Sequence, residues 1–216
     1  MHDIYTNRIC RRRDDGEIDY YASKKLGALG TNLAAISWFF EEPYETPIAT
    51  LTGADQSWVL SQAARGLIAQ GRVAEALRAE RAGLGMDREA KNWDDAAISA
   101  SNLSQAELLV GDVAAAVATA EQSVSYADRS GGEFEMMTER VRHADALHAA
   151  GRREDSEGLF ADAEQRQKER QPVYPLLYAL QGYQYCDLLL ERREWTDTRN
   201  RASQTLELGR AAVQSS

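Results

Sequence analysis

One short pattern decides the fold and occurs three times, as LIAQGRVAEAL (67–77), LLVGDVAAAV (108–117) and LHAAGRREDSE (147–157). The copies align without gaps on a glycine, and Gly71, Gly111 and Gly151 are spaced 40 residues apart. Apolar residues recur with helical period before and after each glycine, which predicts a helix, a tight turn and a second antiparallel helix. Glycine suits the left-handed turn conformation that ends the first helix.

A fourth copy, LLLERREWTDT (188–198), lacks the glycine, so that Arg193 stands at the turn and Trp195 takes the place of Val73 and Val113. Small residues lie five positions after each turn glycine and again seven positions further on, where two helices must approach closely. They are Ala76, Ala116 and Ser156, then Gly83, Ser123 and Ala163. Larger residues are expected to fill the space between helices: Trp58, Leu67, Leu103, Leu108, Leu147, Phe160, Leu180 and Leu188.

Local signals set the helix boundaries. The signals are Thr52 with Asp55 as a capping box, Asp94 as a candidate N-cap, Gly131 and Gly132 between two pairs, and Pro172 and Pro175 around the start of the last pair. The predicted helices are 17–41, 53–70, 73–90, 95–110, 113–129, 133–150, 153–170, 175–192 and 195–213. The segment EEPYETPIATL (41–51) is the clearest loop, and residues 1–13 are expected to add a short helix that pairs with the first long one.

The expected fold is therefore all-α, a right-handed α-solenoid of antiparallel helix pairs with a repeat period of about 40 residues. Residues 1–51 form an N-terminal helical capping segment and loop, 52–213 form an array of four helix pairs, and 214–216 are a tail. Four prolines in 216 residues and an apolar fraction of 44% agree with a helical protein that has an ample core.

The glycine at the turn, with small residues five and twelve positions later, resembles the tetratricopeptide repeat (TPR). That family's common repeat is about 34 residues long, so the spacing here adds about one and a half helical turns. The length and the SNL of the first helix (101–103) are similar to the long-helix subclass found in kinesin light chains. The resemblance covers about residues 57–213 and implies a scaffold for protein binding.

A narrower resemblance runs over nearly the whole chain. The phrases that carry it are KKLGALGTNLAAISWFFEEP (24–43), WDDAAISASNLSQAELLVGDVAAAVATAEQSVSYADRSG (93–131) and ERQPVYPLLYALQGYQYCDLLLE (169–191). They look like the C-terminal repeat region of bacterial signalling NTPases of the STAND type, in which such repeats act as sensors. The chain contains no GxxxxGK[ST] phosphate loop, so the resemblance implies the sensor part alone.

The composition of the chain argues against nucleic acid and membranes as partners. A formal net charge of −9 argues against binding to nucleic acid or to an anionic membrane. No apolar run reaches the roughly 18 residues of a membrane span. The two cysteines, Cys10 and Cys186, are far apart, which predicts free thiols in a reducing cytoplasm.

Catalysis is the weakest hypothesis. His143 and His148 lie on different faces of one helix, and no GxSxG elbow is present. Paired acids such as Asp94 and Asp95 stand where helix starts are expected and suit capping better than acid–base chemistry. No cluster has metal-ligand spacing, so we expect neither a metal nor a cofactor.

A polar column occupies a fixed position in the first helix of each pair. Its members, found nine and six residues before each turn, are Gln62 and Arg65, Asn102 and Gln105, Arg142 and Asp145, and Gln184 and Asp187. Such a column is expected of a lined concave groove, although a plain solvated face would also be polar. Tyr183 is added as a candidate aromatic shelf, with core packing as its alternative.

The column residues can bind an extended peptide, because amides pair with backbone groups and guanidinium pairs with carboxylate. The TPR resemblance implies the same role for Asn102. The flanking residues Ser61, Arg65, Ser101 and Thr138 do not match the lysines that clamp a chaperone's carboxylate tail. We therefore expect a protein or peptide ligand of another kind, with structural self-association through the end helices, as a homodimer, as the alternative.

Overall fold

The computed structural model describes residues 5–13, 16 and 18–214. A π-helical turn at Tyr5–Ile9 precedes the helices α1 (Tyr21–Lys24) and α2 (Leu29–Ser37) and a hairpin of the strands β1 (Phe40–Glu42) and β2 (Thr46–Pro47). The longer helices are α3 (Gly53–Ala69), α4 (Val73–Ala90), α5 (Trp93–Leu109), α6 (Val113–Ser130), α7 (Glu133–Ala149), α8 (Arg153–Arg170), α9 (Ala179–Glu191) and α10 (Trp195–Gln214). The predicted all-α solenoid of helix pairs is confirmed.

The chain divides into two compact units, Met1–Lys91 and Asn92–Ser216, here the N-terminal unit and the C-terminal unit. The first contains the pair α3/α4, and the second contains α5/α6, α7/α8 and α9/α10. In the C-terminal unit the first helices follow one another, since α5 packs on α7 and α7 packs on α9. This succession places the parts of the predicted column on α5, α7 and α9 on neighbouring helices.

The turns inside the pairs are closed by residues in the left-handed conformation. The angle φ is +76° at Gly71, +82° at Gly111 and +73° at Gly151. In the last pair Arg193 has a φ of +64°, which confirms its predicted place at the turn. For a residue with a Cβ this conformation costs about 1–2 kcal/mol, so the last turn is more strained than the others.

Small side chains allow the paired helices to approach closely. All of the predicted small positions are buried: Ala76, Gly83, Ala116, Ser123, Ser156 and Ala163. Two serines also join paired helices, because the Ser104 hydroxyl donates to the Ala116 carbonyl at 2.8 Å and the Ser156 hydroxyl donates to the Ala144 carbonyl at 2.7 Å. The predicted close packing is confirmed.

The N-terminal segment packs as a cap on α3. The Tyr5 ring lies edge-on to Phe39 and to Trp58, at centroid distances of 5.7 and 5.9 Å. Its hydroxyl donates to the Asn32 side chain on α2 at 2.8 Å. Aromatic packing therefore holds the capping segment and the first pair in one unit.

The single helix predicted for 17–41 is wrong. Residues 25–28 separate α1 from α2, and Gly27 has a φ of +61°, which a continuous helix does not permit. Residue 17 lies outside the described residues. Phe40–Glu42 forms a strand that pairs with Thr46–Pro47 inside the predicted loop.

The core of the C-terminal unit surrounds Phe160, which is fully buried and stacks on Tyr185 at a centroid distance of 4.8 Å. The helix predicted to begin at 175 begins at Ala179, because residues 171–178 form turns and irregular backbone that is held against α8. There the Gln167 side chain donates to the Tyr174 carbonyl at 2.8 Å, and Glu164 accepts from the Leu177 backbone at 3.1 Å.

Two predictions near helix starts need correction. Leu177, 3% exposed, fills the core position expected of Leu180, which is 53% exposed in the first turn of α9. Asp94 is not an N-cap, since Asn92 occupies that position and α5 begins at Trp93. Thr52 is confirmed as the N-cap of α3, because its Oγ1 accepts from the Asp55 backbone N–H at 3.2 Å.

Candidate functional site

Six of the predicted groove residues form one polar row across the first helices of the C-terminal unit. We call this set the polar row. Its members are Asn102 and Gln105 on α5, Arg142 and Asp145 on α7, and Gln184 and Asp187 on α9. The packing of α5 on α7 and of α7 on α9 brings residues about 40 positions apart in sequence to neighbouring places.

Arg142 connects α5 to α7. With the Gln105 carboxamide oxygen turned toward it, the Arg142 Nε donates to that oxygen at 2.7 Å. Burial lowers the pKa of Arg142, while the nearby carboxyl groups of Glu139 and Asp145 favour its charge. The guanidinium is thus held in place by partners on two helices.

Asp145 connects α7 to α9. The buried Gln184 donates through Nε2 to the Asp145 Oδ2 at 2.7 Å. Burial raises the pKa of Asp145, and the Gln184 hydrogen bond and the Arg142 charge partly offset that effect. One turn further along, the His148 Nε2 lies 2.7 Å from the Glu191 Oε2 and the His148 Nδ1 lies 3.9 Å from the Asp187 Oδ2. Direct contacts thus join Gln105 to Arg142 and Gln184 to Asp145, and Arg142 and His148 act electrostatically on Asp145 between them.

The two predicted residues on α3 belong to the N-terminal unit. Gln62 is 6% exposed, and its Nε2 has no hydrogen-bond partner among the described residues. Arg65 is exposed, and its guanidinium carbon lies 5.6 Å from the centroid of the Tyr20 ring. Arg65 also acts electrostatically on the buried Glu80 of α4.

Tyr183 does not join the polar row. It is 67% exposed and lines a separate apolar groove between α9 and α10, with a volume of about 790 Å³. Leu206, Ala202 and Cys186 line the same groove. The core-packing alternative for Tyr183 is wrong, because this side chain is largely exposed.

A smaller cavity of about 180 Å³ lies between α5 and α7, beside the polar row. We call it the α5/α7 pocket. It is lined by Ile98, Ser101 and Asn102 from α5 and by Phe134, Glu135, Thr138, Glu139 and Arg142 from α7. Two of the predicted groove residues, Asn102 and Arg142, thus line a concave site.

Glu139 is the residue that sequence reasoning missed. It is 3% exposed, and its Oε2 has no hydrogen-bond partner among the described residues. Burial raises its pKa to about 7, although Ser101, Arg142 and Ser123 lower it in part. Glu139 precedes Arg142 by three positions, and this shared helix face is the signal that could have found it.

Among the described residues, no group of three or more His, Cys, Asp and Glu side chains could hold a metal ion. Within the same part of the chain, no helix is both long enough and apolar enough to cross a membrane. Burial raises the pKa of the thiols of Cys10 and Cys186, which disfavours the reactive thiolate.

These helix pairs, left-handed turns and small interhelical residues define a TPR-like helical-repeat fold. The chain is similar to the crystal structure of a Podosopora anserina protein of the kinesin light chain type with nearly identical TPR-like repeats, and to a single-substitution variant of it. The TM-scores are 0.57 and 0.59, at 14% sequence identity, with 88% of this chain and 88% and 87% of those chains covered. Likeness at this identity shows a shared fold.

Comparison by sequence alone identifies no related protein. No known family profile matches the chain, and no curated protein matches it.

Proposed function

We propose that this chain is a non-enzymatic, TPR-type scaffold that binds a protein or peptide segment along the polar row. The observation that carries the proposal is the row of amide, carboxylate and guanidinium groups on the successive first helices α5, α7 and α9. An extended peptide offers one donor and one acceptor at each residue, and such groups can bind both.

The same proposal includes the kind of larger protein to which the scaffold belongs. The phrases of the sequence that resemble STAND-type proteins support a sensor region of a larger bacterial signalling protein that acts in the cytoplasm. The kinesin light chain type of the similar structures supports an interaction role. For the N-terminal unit, the same proposal assigns Gln62 and Arg65 on α3 to peptide binding.

The experiment is a selection of random 12-residue peptides on the wild-type chain, followed by affinity measurements on variants. Asn102→Ala with Gln184→Ala should weaken the selected peptides at least tenfold while circular dichroism stays unchanged. The matched control is Asn200→Ala with Arg199→Ala, two exposed residues of α10. Equal affinity of both double variants for the selected peptides would refute peptide binding along the polar row.

A second candidate function is self-association, and the apolar groove between α9 and α10 favours it. Tyr183 and Leu206 are 67% and 55% exposed there. Apolar surface of this kind is stabilised when a second copy covers it. Light scattering should then give a mass that rises with concentration, and Leu206→Glu should abolish the rise. A constant monomer mass would exclude this function.

A further inference from the structure

The α5/α7 pocket has an uncompensated hydrogen-bond acceptor. Glu139 lines the pocket, is 3% exposed, and leaves its Oε2 without a partner among the described residues. Buried carboxylate oxygens are normally satisfied, because an unpaired one costs free energy. A ligand that brings a donor to this oxygen would remove that cost.

The two carboxylates of the pocket favour a cation over an anion. Glu135 lies on the same face of α7, four residues before Glu139, and adds a second negative charge. Arg142 is the opposing charge in the lining, but it is engaged by Gln105 and lies near Asp145. An anionic ligand would meet two carboxylates at short range.

The size and the walls of the pocket suit one long side chain. Pockets for whole small molecules measure about 300–1,000 Å³, whereas this one measures about 180 Å³. Ile98 and Phe134 provide apolar surface for an aliphatic stem, as lysine and arginine side chains need. The guanidinium carbon of Arg170 lies 5.0 Å from the Phe134 centroid, so one cation already interacts with this ring and the ligand's contact with Phe134 is made by its apolar stem.

We propose that the α5/α7 pocket binds the lysine or arginine side chain of a bound peptide, with the charged head against Glu139 and the stem against Ile98 and Phe134. The proposal rests on the proposed function, since the polar row holds the backbone of the same peptide. Asn102, which belongs to both sites, and Thr138 of the pocket lining bond the peptide near this side chain. The negative net charge of −9 favours basic partners.

Binding should depend on pH because a proton and the ligand cation compete for Glu139. The groups that act on Glu139 are Arg142 and Glu135 on α7, Ser101 on α5 and Ser123 on α6. Together with burial they set its pKa at about 7. Affinity should therefore be full at pH 8 and should fall about tenfold for each pH unit below 7.

The test uses an acetylated and amidated pentapeptide, Gly-Ser-Lys-Ser-Gly, and a matched peptide with norleucine in place of lysine. Binding to the 15N-labelled full chain is measured by NMR titration at pH 8 and pH 6. The lysine peptide should bind at least tenfold more tightly than the norleucine peptide at pH 8. Glu139→Gln should abolish this preference, and the control Glu154→Gln, an exposed acid of α8, should keep it.

Each outcome is decisive. Equal affinity for the two peptides, or a lysine preference that survives Glu139→Gln, overturns the pocket assignment even where selected peptides still depend on Asn102 and Gln184. A lysine preference that depends on Glu139 but not on those two residues supports the pocket and refutes the polar row. If Glu139→Gln does not fold, the wild-type affinities at pH 8 and pH 6 decide, and a pH-independent lysine preference overturns the proposal.

Discussion

Glu80 on α4 should make the N-terminal unit less stable as the pH rises. It is 1% exposed, its Oε1 has no partner among the described residues, and its pKa is raised by burial to about 8 from an ordinary 4.5. Arg65 lowers this pKa and Asp87 raises it. Between these two pKa values the folded state holds a proton that the unfolded state has released, so unfolding becomes more favourable with pH.

The substitution Glu80→Gln removes the titrating group and keeps the side-chain volume. Any change in packing or hydrogen bonding alters the free energy of unfolding by an amount that does not vary with pH. The stability of the variant relative to the wild type should therefore grow by about 3–4 kcal/mol between pH 5 and pH 8, from 1.36 kcal/mol per pKa unit. At a urea slope of about 2 kcal/mol/M, the midpoint difference grows by roughly 1.5–2 M.

The assay is urea unfolding at several pH values, followed by tryptophan fluorescence. Replacing Trp93 and Trp195 by phenylalanine in both proteins leaves Trp38 and Trp58 as reporters of the N-terminal unit. Glu89→Gln, an exposed acid on the same helix, is the matched control. A constant stability difference between wild type and Glu80→Gln from pH 5 to pH 8 would refute the reasoning.

Three further substitutions test the fold. Arg193→Gly relieves the left-handed strain at φ +64° and should stabilise the chain by about 1 kcal/mol in urea unfolding. A lower free energy of unfolding would show that the contacts of the Arg193 side chain outweigh the backbone strain. Ser104→Ala removes the 2.8 Å hydrogen bond to the Ala116 carbonyl and should cost about 1 kcal/mol in the same assay; no change would mean that helix packing alone joins the pair. Phe160→Ala empties the core beside Tyr185 and should lower stability by about 3–5 kcal/mol, and the half-exposed Phe134→Ala should lower it less.

The repeat was readable because its signals are local. Helical period and a glycine at each turn place α3 to α8 within a few residues, and even the glycine-free turn at Arg193 was located by counting. The failures lie where the period is interrupted. Gly27 ends α1 inside an apolar helical pattern, and the contacts of Gln167 with the Tyr174 carbonyl delay the start of α9.

The site was predictable in part. The spacing from each turn picked out Asn102, Arg142 and Gln184 as one column, because equal positions in equal repeats face the same side. The burial of Glu139 was not predictable, since its neighbours in sequence do not reveal that α5 covers it. Tyr183 was expected to add an aromatic shelf beside the column, yet it lines the groove with α10, because one residue away from Gln184 a helix position turns by about 100°.

The sequence by itself therefore determined the helix pairs, their turns and the polar column, since these follow from backbone conformation and side-chain period along one chain. Only the tertiary structure decided which column residues touch, and it buries Glu139 beside them with its Oε2 unpaired among the described residues. Contacts such as the 2.7 Å hydrogen bond from Gln184 to Asp145 join residues 39 positions apart. Their geometry depends on how successive first helices pack. That packing is set by the side-chain volumes of several helices at once.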